Sequence, residues 1–303
     1  MTKAGAGQPH TISKRSKIMA MTTKIKHLIN SGLGFANLRF ETLTAERAER
    51  ERLLRLERAG HFMQQVFPVL PQIARCDPRP VLDAVEQYRE STSRFVQARE
   101  DGTFSFSNEY CSSPDAEVAY ALVRKLHPMC IVEIGSGNST HLFREAITDE
   151  NLKTRVVSID PSPRREVESA ADQVIRRRAE EVPAGDLEGL LKPNDFLFID
   201  SSHEICSGND VVSLFLRVVP ELRSGVVIHI HDICLPFEYP REWIVENRWN
   251  WKEQYLVQAL LQGSDQFEVL WPGHFLQRTL PNFHYHFSGN PVGVAKSLWL
   301  RKL

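Results

Sequence analysis

Ile131-Val132-Glu133-Ile134-Gly135-Ser136-Gly137-Asn138-Ser139-Thr140 sets an apolar run against a Gly-Ser-Gly break and a small-residue helix start. A parallel strand that breaks in this way delivers backbone N–H groups to a ligand. Glycine is needed there because a Cβ would block both the tight turn and the close approach of the ligand. Three further features sharpen the signal. An acid, Glu133, stands inside the strand, Thr140 replaces a third glycine, and Asp160 closes the next apolar run, Val156-Val157-Ser158-Ile159-Asp160.

Outward from this turn the pattern is regular. Ser113-Pro114-Asp115 starts a helix with Ser113 as N-cap and Pro114 at its first position, and Val118, Leu122 and Leu126 form its buried stripe. Helices are expected over residues 140–147, 163–171 and 209–220, and strands over 155–160, 174–175, 196–200 and 226–230. Continuous apolar runs alternating with helices read as parallel strands covered on both faces. Right-handed crossovers make that sheet doubly wound. After a helix at 252–262, Phe267–Trp271 and Ser297–Leu300 form two more strands with no helix expected between them, so they should pair antiparallel. The fold class is therefore α/β, a Rossmann-like seven-stranded sheet, mostly parallel with an antiparallel last strand.

Upstream, residues 1–22 read as a disordered tail, 23–107 as a helical accessory region and 108–303 as the main domain. The run from Thr44 to Phe67 predicts a charged helix that packs on the domain or pairs with a second copy as a dimer arm. A second helical stretch is expected at 81–99.

With 303 residues, 42% hydrophobic and 25% charged, the chain can bury a sizeable core. A formal charge of −1 offers no general attraction for nucleic acid or an anionic membrane. Five cysteines without C-x-x-C spacing suit reduced, mostly buried thiols. No stretch approaches the roughly 18 apolar residues of a membrane span. A cytoplasmic protein is expected, with no nucleic acid partner.

Over residues 108–303 the chain resembles the class I S-adenosylmethionine-dependent methyltransferases. The resemblance rests on Glu133-x-Gly135-x-Gly137 after the first strand, Asp160 after the second, Asp200 after the fourth and the closing antiparallel pair. It implies that Gly135, Ser136, Gly137 and Ser139 hold the methionine part of the cofactor. It also implies that Glu133 orients the amino group and Asp160 accepts the ribose hydroxyls. A carboxylate at a strand end, acceptor-only when ionised, suits a vicinal diol.

Asp200-Ser201-Ser202-His203 and His231-Asp232 end successive strands at the edge where doubly wound sheets bind ligands. This pattern is similar to the metal-dependent O-methyltransferases that act on macrolide sugars, the macrocin and mycinamicin type. The likeness implies Asp200, His231 and Asp232 as ligands of a divalent metal, with Asp200 and His203 as catalytic residues and His203 the general base. Mg²⁺ fits oxygen ligands, whereas His231 in place of the family's acid favours Mn²⁺ or Fe²⁺. A sugar hydroxyl is a poor nucleophile, so a nearby cation and a base answer its needs. Tyr239, Trp243, Trp249 and Trp251 are expected to wall a small-molecule or glycan acceptor.

Other readings share parts of these observations. An aspartate after strand four also occurs in metal-independent O- or N-methyltransferases, and a histidine near a strand end is often structural. An NAD-dependent oxidoreductase would share the first turn, but Thr140 and the closing pair disfavour it. A cofactor-binding assembly protein without catalysis is a further reading. His229 reads as a hydrogen-bonded core residue, and Phe283-His284-Tyr285-His286 as alternating residues of a strand-like loop.

Overall fold

In the computed structural model, residues 25–33, 36–41, 43–97, 103–108, 110–289 and 291–303 are described. The tail expected at 1–22 lies outside them. β1 (Cys130–Ile134), β2 (Arg155–Ile159), β3 (Gln173–Ile175), β4 (Phe196–Ile199), β5 (Val227–Ile230), β6 (Phe267–Pro272) and β7 (Leu298–Lys302) form one sheet. Their order is β3-β2-β1-β4-β5-β7-β6. β1 to β5 run parallel, and β7 runs antiparallel to both neighbours, as the two-strand ending predicts.

Side chains alternate across the pleat, so each strand feeds two cores. Val132, Ile134, Val157, Ile159, Leu197, Ile199, Ile228 and Ile230 face one layer with Leu214, Phe215, Val257 and Leu261. Ile131, Val156, Phe196, Phe198, Val227 and Trp299 face the other with Val118, Leu122, Leu142 and Phe143. Each such fully buried side chain stabilises the fold by roughly 1.5–3 kcal/mol, which is why both faces must be covered.

By its internal contacts the chain divides into two units, one ending at Leu56 and one spanning Glu57–Leu303. In the first, helix α1 (25–33) is followed by a segment fastened by the Asn30 side chain. That side chain accepts from Phe40 N at 2.6 Å and donates to Phe40 O at 3.0 Å. Ile25, Leu28, Ile29, Leu38, Phe40 and Leu43 are exposed. The charged helix, α2 (Thr44–Arg58), is shorter than the expected 44–67, and the chain turns at Gly60 with φ of 74°.

In the second unit α3 (Pro71–Ala74) comes first, and α4 (Arg79–Gln87) and α5 (Arg89–Ser93) stand where a single stretch was expected at 81–99. They precede α6 (Asp115–Leu126), α7 (Asn138–Asp149), α8 (Ala184–Leu190), α9 (Asp210–Ser213), α10 (Glu253–Gln262) and α11 (Gly273–Thr279). No side chain caps α6; the Ser113 hydroxyl instead bonds the Glu117 carboxyl one turn on. α9 widens into a looser helical turn over Leu214–Val218. Among the described residues no helix is long and apolar enough to cross a membrane.

Three local expectations are corrected. The helix expected at 163–171 is a series of turns, because Asp160 takes Ser162 N at 2.7 Å and Glu166 takes Ser169 N and Oγ, each at 2.7 Å. Such side-chain bonds compete with the helical ladder, and Pro161 and Pro163 weaken it further. α11 and a 3₁₀ turn at Phe283–His286 fill the connection between β6 and β7 that was read as helix-free. That turn also overturns the strand-like reading of Phe283-His284-Tyr285-His286, since Phe283 alone is buried and Tyr285 is exposed.

The register aligns the strand ends. Ile134 pairs with Ile159 and with Ile199, and Ile199 with Ile230. The next residues, Gly135, Asp160, Asp200 and His231, therefore stand in one row at the carboxyl edge, where β1 lies between β2 and β4. Gly135 has φ of 78°, and a Cβ there would lie 2.0 Å from the Asp200 carbonyl oxygen. Gly135→Ala is expected to cost roughly 2–4 kcal/mol in chemical denaturation. Gly189→Ala, on α8 with nothing within 4 Å of its Cβ, should be neutral or stabilising. Equal midpoints for the two variants would contradict this account of the turn.

Candidate active site

The turn after β1 is held by Asp160. Its Oδ2 accepts Ser136 N at 2.8 Å and its Oδ1 accepts Ser162 N at 2.7 Å. Oδ2 also takes the Ser136 hydroxyl at 3.4 Å, while Oδ1 keeps a lone-pair direction, and the carboxylate is half-buried, so it suits a ribose hydroxyl. Thr140 Oγ1 accepts Gly137 N at 3.0 Å and donates to Glu133 Oε2 at 2.6 Å, tying the start of α7 to β1. Thr140 thus uses its hydroxyl where a third glycine was missing.

Glu133 is fully buried, and its Oε1 has no hydrogen-bond partner. Burial pushes its carboxyl up to about 8, against the Ser139 and Thr140 hydroxyls that favour the charged form. A buried carboxyl with an idle oxygen beside a glycine turn fits an incoming ammonium group.

Three cavities meet at Asp200. One of about 130 Å³ lies over the turn, lined by Tyr110, Ser136, Gly137, Asn138 and Ser139. A second, about 460 Å³, is lined by Gly135, Asp160, Arg178, Ser202 and Asn209. The third, about 600 Å³, is lined by His203, Asp232, Trp243, Trp249, Trp251 and Lys296. A separate apolar groove of about 430 Å³ between α4 and β6 touches none of these residues.

Around Asp200 the charges are dense. His203 Nε2 lies 3.3 Å from Asp200 Oδ1 and 3.5 Å from Asp232 Oδ2, and its Nδ1 lies 2.7 Å from Glu253 Oε2. Ser201 Oγ donates to the other Glu253 oxygen at 2.8 Å. The backbone builds this contact, because the His203 carbonyl accepts Lys252 N at 2.7 Å and Glu253 N at 3.1 Å. His203 and Asp232 both take left-handed backbone angles, φ 59° and 54°. That strain, of order 1–3 kcal/mol each, turns their side chains into the cavity. Burial opposes charge on the His203 imidazole, yet Asp200, Glu253 and Asp232 outweigh it and hold the ring protonated well above its ordinary range. Burial would raise the Asp200 carboxyl too, but His231 and His203 keep it well below the usual carboxylate range.

Lys296 Nζ lies 2.8 Å from Asp232 Oδ1 and 5.2 Å from the centre of the Trp243 ring. Burial works against its charge, and Asp232 more than compensates. The tryptophans pack on one another, Trp249 on Trp251 with centroids 4.4 Å apart and Trp243 on Trp251 at 5.0 Å, and His203 sits 4.4 Å from Trp251.

The structure thus gathers Asp200, His203 and Asp232 within 4.8 Å of one another. His231, expected as a third ligand, is outside that set, with Nε2 3.7 Å from Asp232 Oδ1 and Nδ1 buried without a partner. Tyr239 is buried behind the aromatic wall, its hydroxyl accepting Gln254 N at 3.0 Å, so three of the four expected aromatics line the cavity. His229 is a core residue, bonded to Ser297 at 2.8 Å and stacked on Phe198 at 3.8 Å. Sequence reading missed Glu253, Lys296, Tyr110 and Arg164. An acid at the start of a helix is ordinary, so Glu253 gave no signal. Lys296 sits alone before β7 with no motif around it.

One nitrogen, His203 Nε2, faces the cavity, and its single lone pair can take a proton or bind a metal but not both.

Residues 132–233 match the family model of a methyltransferase domain. No curated protein matches the chain. Among solved structures the chain is similar to the Podospora anserina methyltransferase PaMTH1 bound to SAH, at 19% identity over 88% of this chain and 98% of that one, with a TM-score of 0.40. A methyltransferase from Geobacter sulfurreducens matches at 17% identity over 82% and 98% of the two chains, with a TM-score of 0.35. A CmcI structure with Mg and SAM matches at 15% identity over 89% and 99%, with a TM-score of 0.39. Residues 132–233 are thus a methyltransferase domain, set in a Rossmann-like sheet ordered β3-β2-β1-β4-β5-β7-β6 with acids closing β2 and β4.

Proposed function

We propose that the chain methylates a hydroxyl of a sugar, glycan or related natural product. The observation that carries this is the position of Asp200, which bounds the glycine-turn cavities on one side and the tryptophan-walled cavity on the other. S-adenosylmethionine, when bound, supplies a methyl group whose bond to sulfur breaks with its electron pair under in-line attack. Glu133 holds the amino group, Gly135, Ser136, Gly137 and Ser139 line the methionine part, and Asp160 accepts from the ribose. Trp243, Trp249 and Trp251 stack on the acceptor. The acceptor oxygen forms the new bond to carbon, and its proton passes to His203 Nε2. Glu253 holds the ring by Nδ1 so that Nε2 faces the cavity.

A divalent cation, Mg²⁺ or Mn²⁺/Fe²⁺, on Asp200, His203 and Asp232 is a second reading, favoured by the convergence of their donor atoms within 4.8 Å. The donor types suit such an ion, but the charges do not, because Lys296 already occupies Asp232 at 2.8 Å. Chelation by EDTA and metal add-back separates the two readings. Activity unchanged by both supports the metal-free one.

The idle Glu133 oxygen makes a test that needs no acceptor. With a carboxyl raised to about 8, the free protein keeps the Glu133 proton at neutral pH. An ammonium beside it favours the carboxylate, so binding S-adenosylhomocysteine at pH 7 should release close to one proton. Calorimetry in buffers of different ionisation enthalpy measures this, and the release should shrink as the pH passes about 8. Glu133→Gln should abolish the release and weaken binding roughly tenfold or more. Buffer-independent heats would overturn the assignment of Glu133, and heats with NAD but none with S-adenosylhomocysteine would overturn the cofactor.

For the base, methyl transfer from a radiolabelled donor into a panel of hydroxylated sugars should rise with pH. His203 must lose its proton first, and its carboxylate neighbours hold that proton above the ordinary range. His203→Ala should lower the rate by about 10²- to 10⁴-fold. Full transfer by the alanine variant would remove the base assignment.

A second copy of the chain is the protein partner we infer. Exposed Leu28, Ile29, Leu38, Phe40 and Leu43 of the first unit support it. Sedimentation should show an oligomer that Leu28→Asp with Phe40→Asp disperses, and a monomeric wild type would end this reading.

A further inference from the structure

Lys296 is placed with unusual care for a residue outside any motif. Its backbone N donates to Asp115 Oδ2 at 2.8 Å, and Ser297 N donates to Asp115 Oδ1 at 3.2 Å. Its carbonyl accepts Ile233 N at 2.8 Å. Asp115, buried at the start of α6, thereby fastens the approach to β7 against the segment leaving β5. From that anchor the side chain reaches the tryptophan-walled cavity, where its ammonium meets Asp232 Oδ1 at 2.8 Å over the face of Trp243. Asp232 divides its two oxygens, one to Lys296 and the other toward His203 Nε2 at 3.5 Å.

An ammonium carries three donors and no acceptor, so beside its ion pair with Asp232 it can offer N–H groups to other oxygens in the cavity. It is also a full positive charge, fixed beside two carboxylates that would otherwise attract a divalent ion. A doubly charged metal between Asp200 and Asp232 would meet Lys296 at close range in a site with little water to screen it.

We propose that the Lys296 ammonium is the resident cation of the acceptor site, carrying at Asp232 the positive charge that a divalent metal would otherwise bring between Asp200 and Asp232. The proposal deepens the methyl-transfer reading, on which the word acceptor rests. In this role Lys296 steadies the acceptor oxygen as charge builds on it, while His203 Nε2, once its own proton has left, takes the proton of the acceptor. Nε2 can then act as a base because no metal claims its lone pair.

The test uses Mn²⁺ alone, followed by electron paramagnetic resonance on the full chain. The wild type should bind Mn²⁺ only weakly. Lys296→Met should bind on the order of 100-fold more tightly, since one repelling charge is gone from a poorly screened site. Lys296→Arg should stay as weak as the wild type, because the charge is kept. Adding Asp232→Asn to Lys296→Met should abolish the gain. Arg164→Met removes another cation lining the same cavity but not resting on Asp232, and should change Mn²⁺ affinity by less than about fivefold. Lys296→Gln serves if the methionine variant does not fold.

Tight Mn²⁺ binding by the wild type, or a Lys296→Met variant that binds no better than it, would overturn the proposal. So would a gain in Arg164→Met equal to that in Lys296→Met, which would make the effect one of general charge. Binding of S-adenosylhomocysteine, measured on the same samples, reports separately on the methyltransferase reading. Its loss in the wild type would defeat that reading whatever Mn²⁺ does.

Discussion

The backbones of Gly135 and Asp200 touch, and the rest of the site depends on that contact. A single added carbon at Gly135 would fall 2.0 Å from the Asp200 carbonyl oxygen. The absence of that carbon lets the turn after β1 lie flat against the end of β4. Glu133, Asp160 and Asp200 then share one edge, and Asp200 becomes a common wall of the glycine-turn cavities and of the one walled by tryptophan. Glycine is chosen here by geometry, since both the left-handed angle and the close approach exclude a side chain.

From that edge outward the site is an exercise in compensated charge. Glu133, Asp200, Asp232 and Glu253 are all placed where water is scarce, and each is answered differently. Glu133 stays protonated, Asp200 and Glu253 share His203, and Asp232 rests on Lys296. Buried charges left without partners cost several kcal/mol, so such a cluster persists only when every member is matched. The left-handed backbones of His203 and Asp232 are part of the same arrangement, because strain is accepted where it aims a side chain.

The parts of the site that could be read in the sequence are those that end strands. Glu133, Gly135, Asp160, Asp200 and Asp232 occupy fixed places relative to apolar runs, and the register brings such places into one row. His203 was legible as a candidate through its spacing from Asp200, but its partner Glu253 lies 50 positions on, at the head of a helix. The misread helix at 163–171 shows the reverse case. Its periodicity was present, and bonds from Asp160 and Glu166 to backbone groups redirected the chain. The unread helix α11 sits in a connection whose aromatic and histidine residues mask its period.

Sequence alone determined the doubly wound sheet, its antiparallel ending, the ligand edge and the acids closing β2 and β4, because strand periodicity and glycine turns are local properties of the chain. Only the tertiary structure decided that Lys296 meets Asp232, that Glu253 holds His203, and that Tyr239 stands behind the aromatic wall. These pairings join segments tens of residues apart. Their energies come from distances and burial that exist only once the chain has folded, and no spacing in the sequence encodes them.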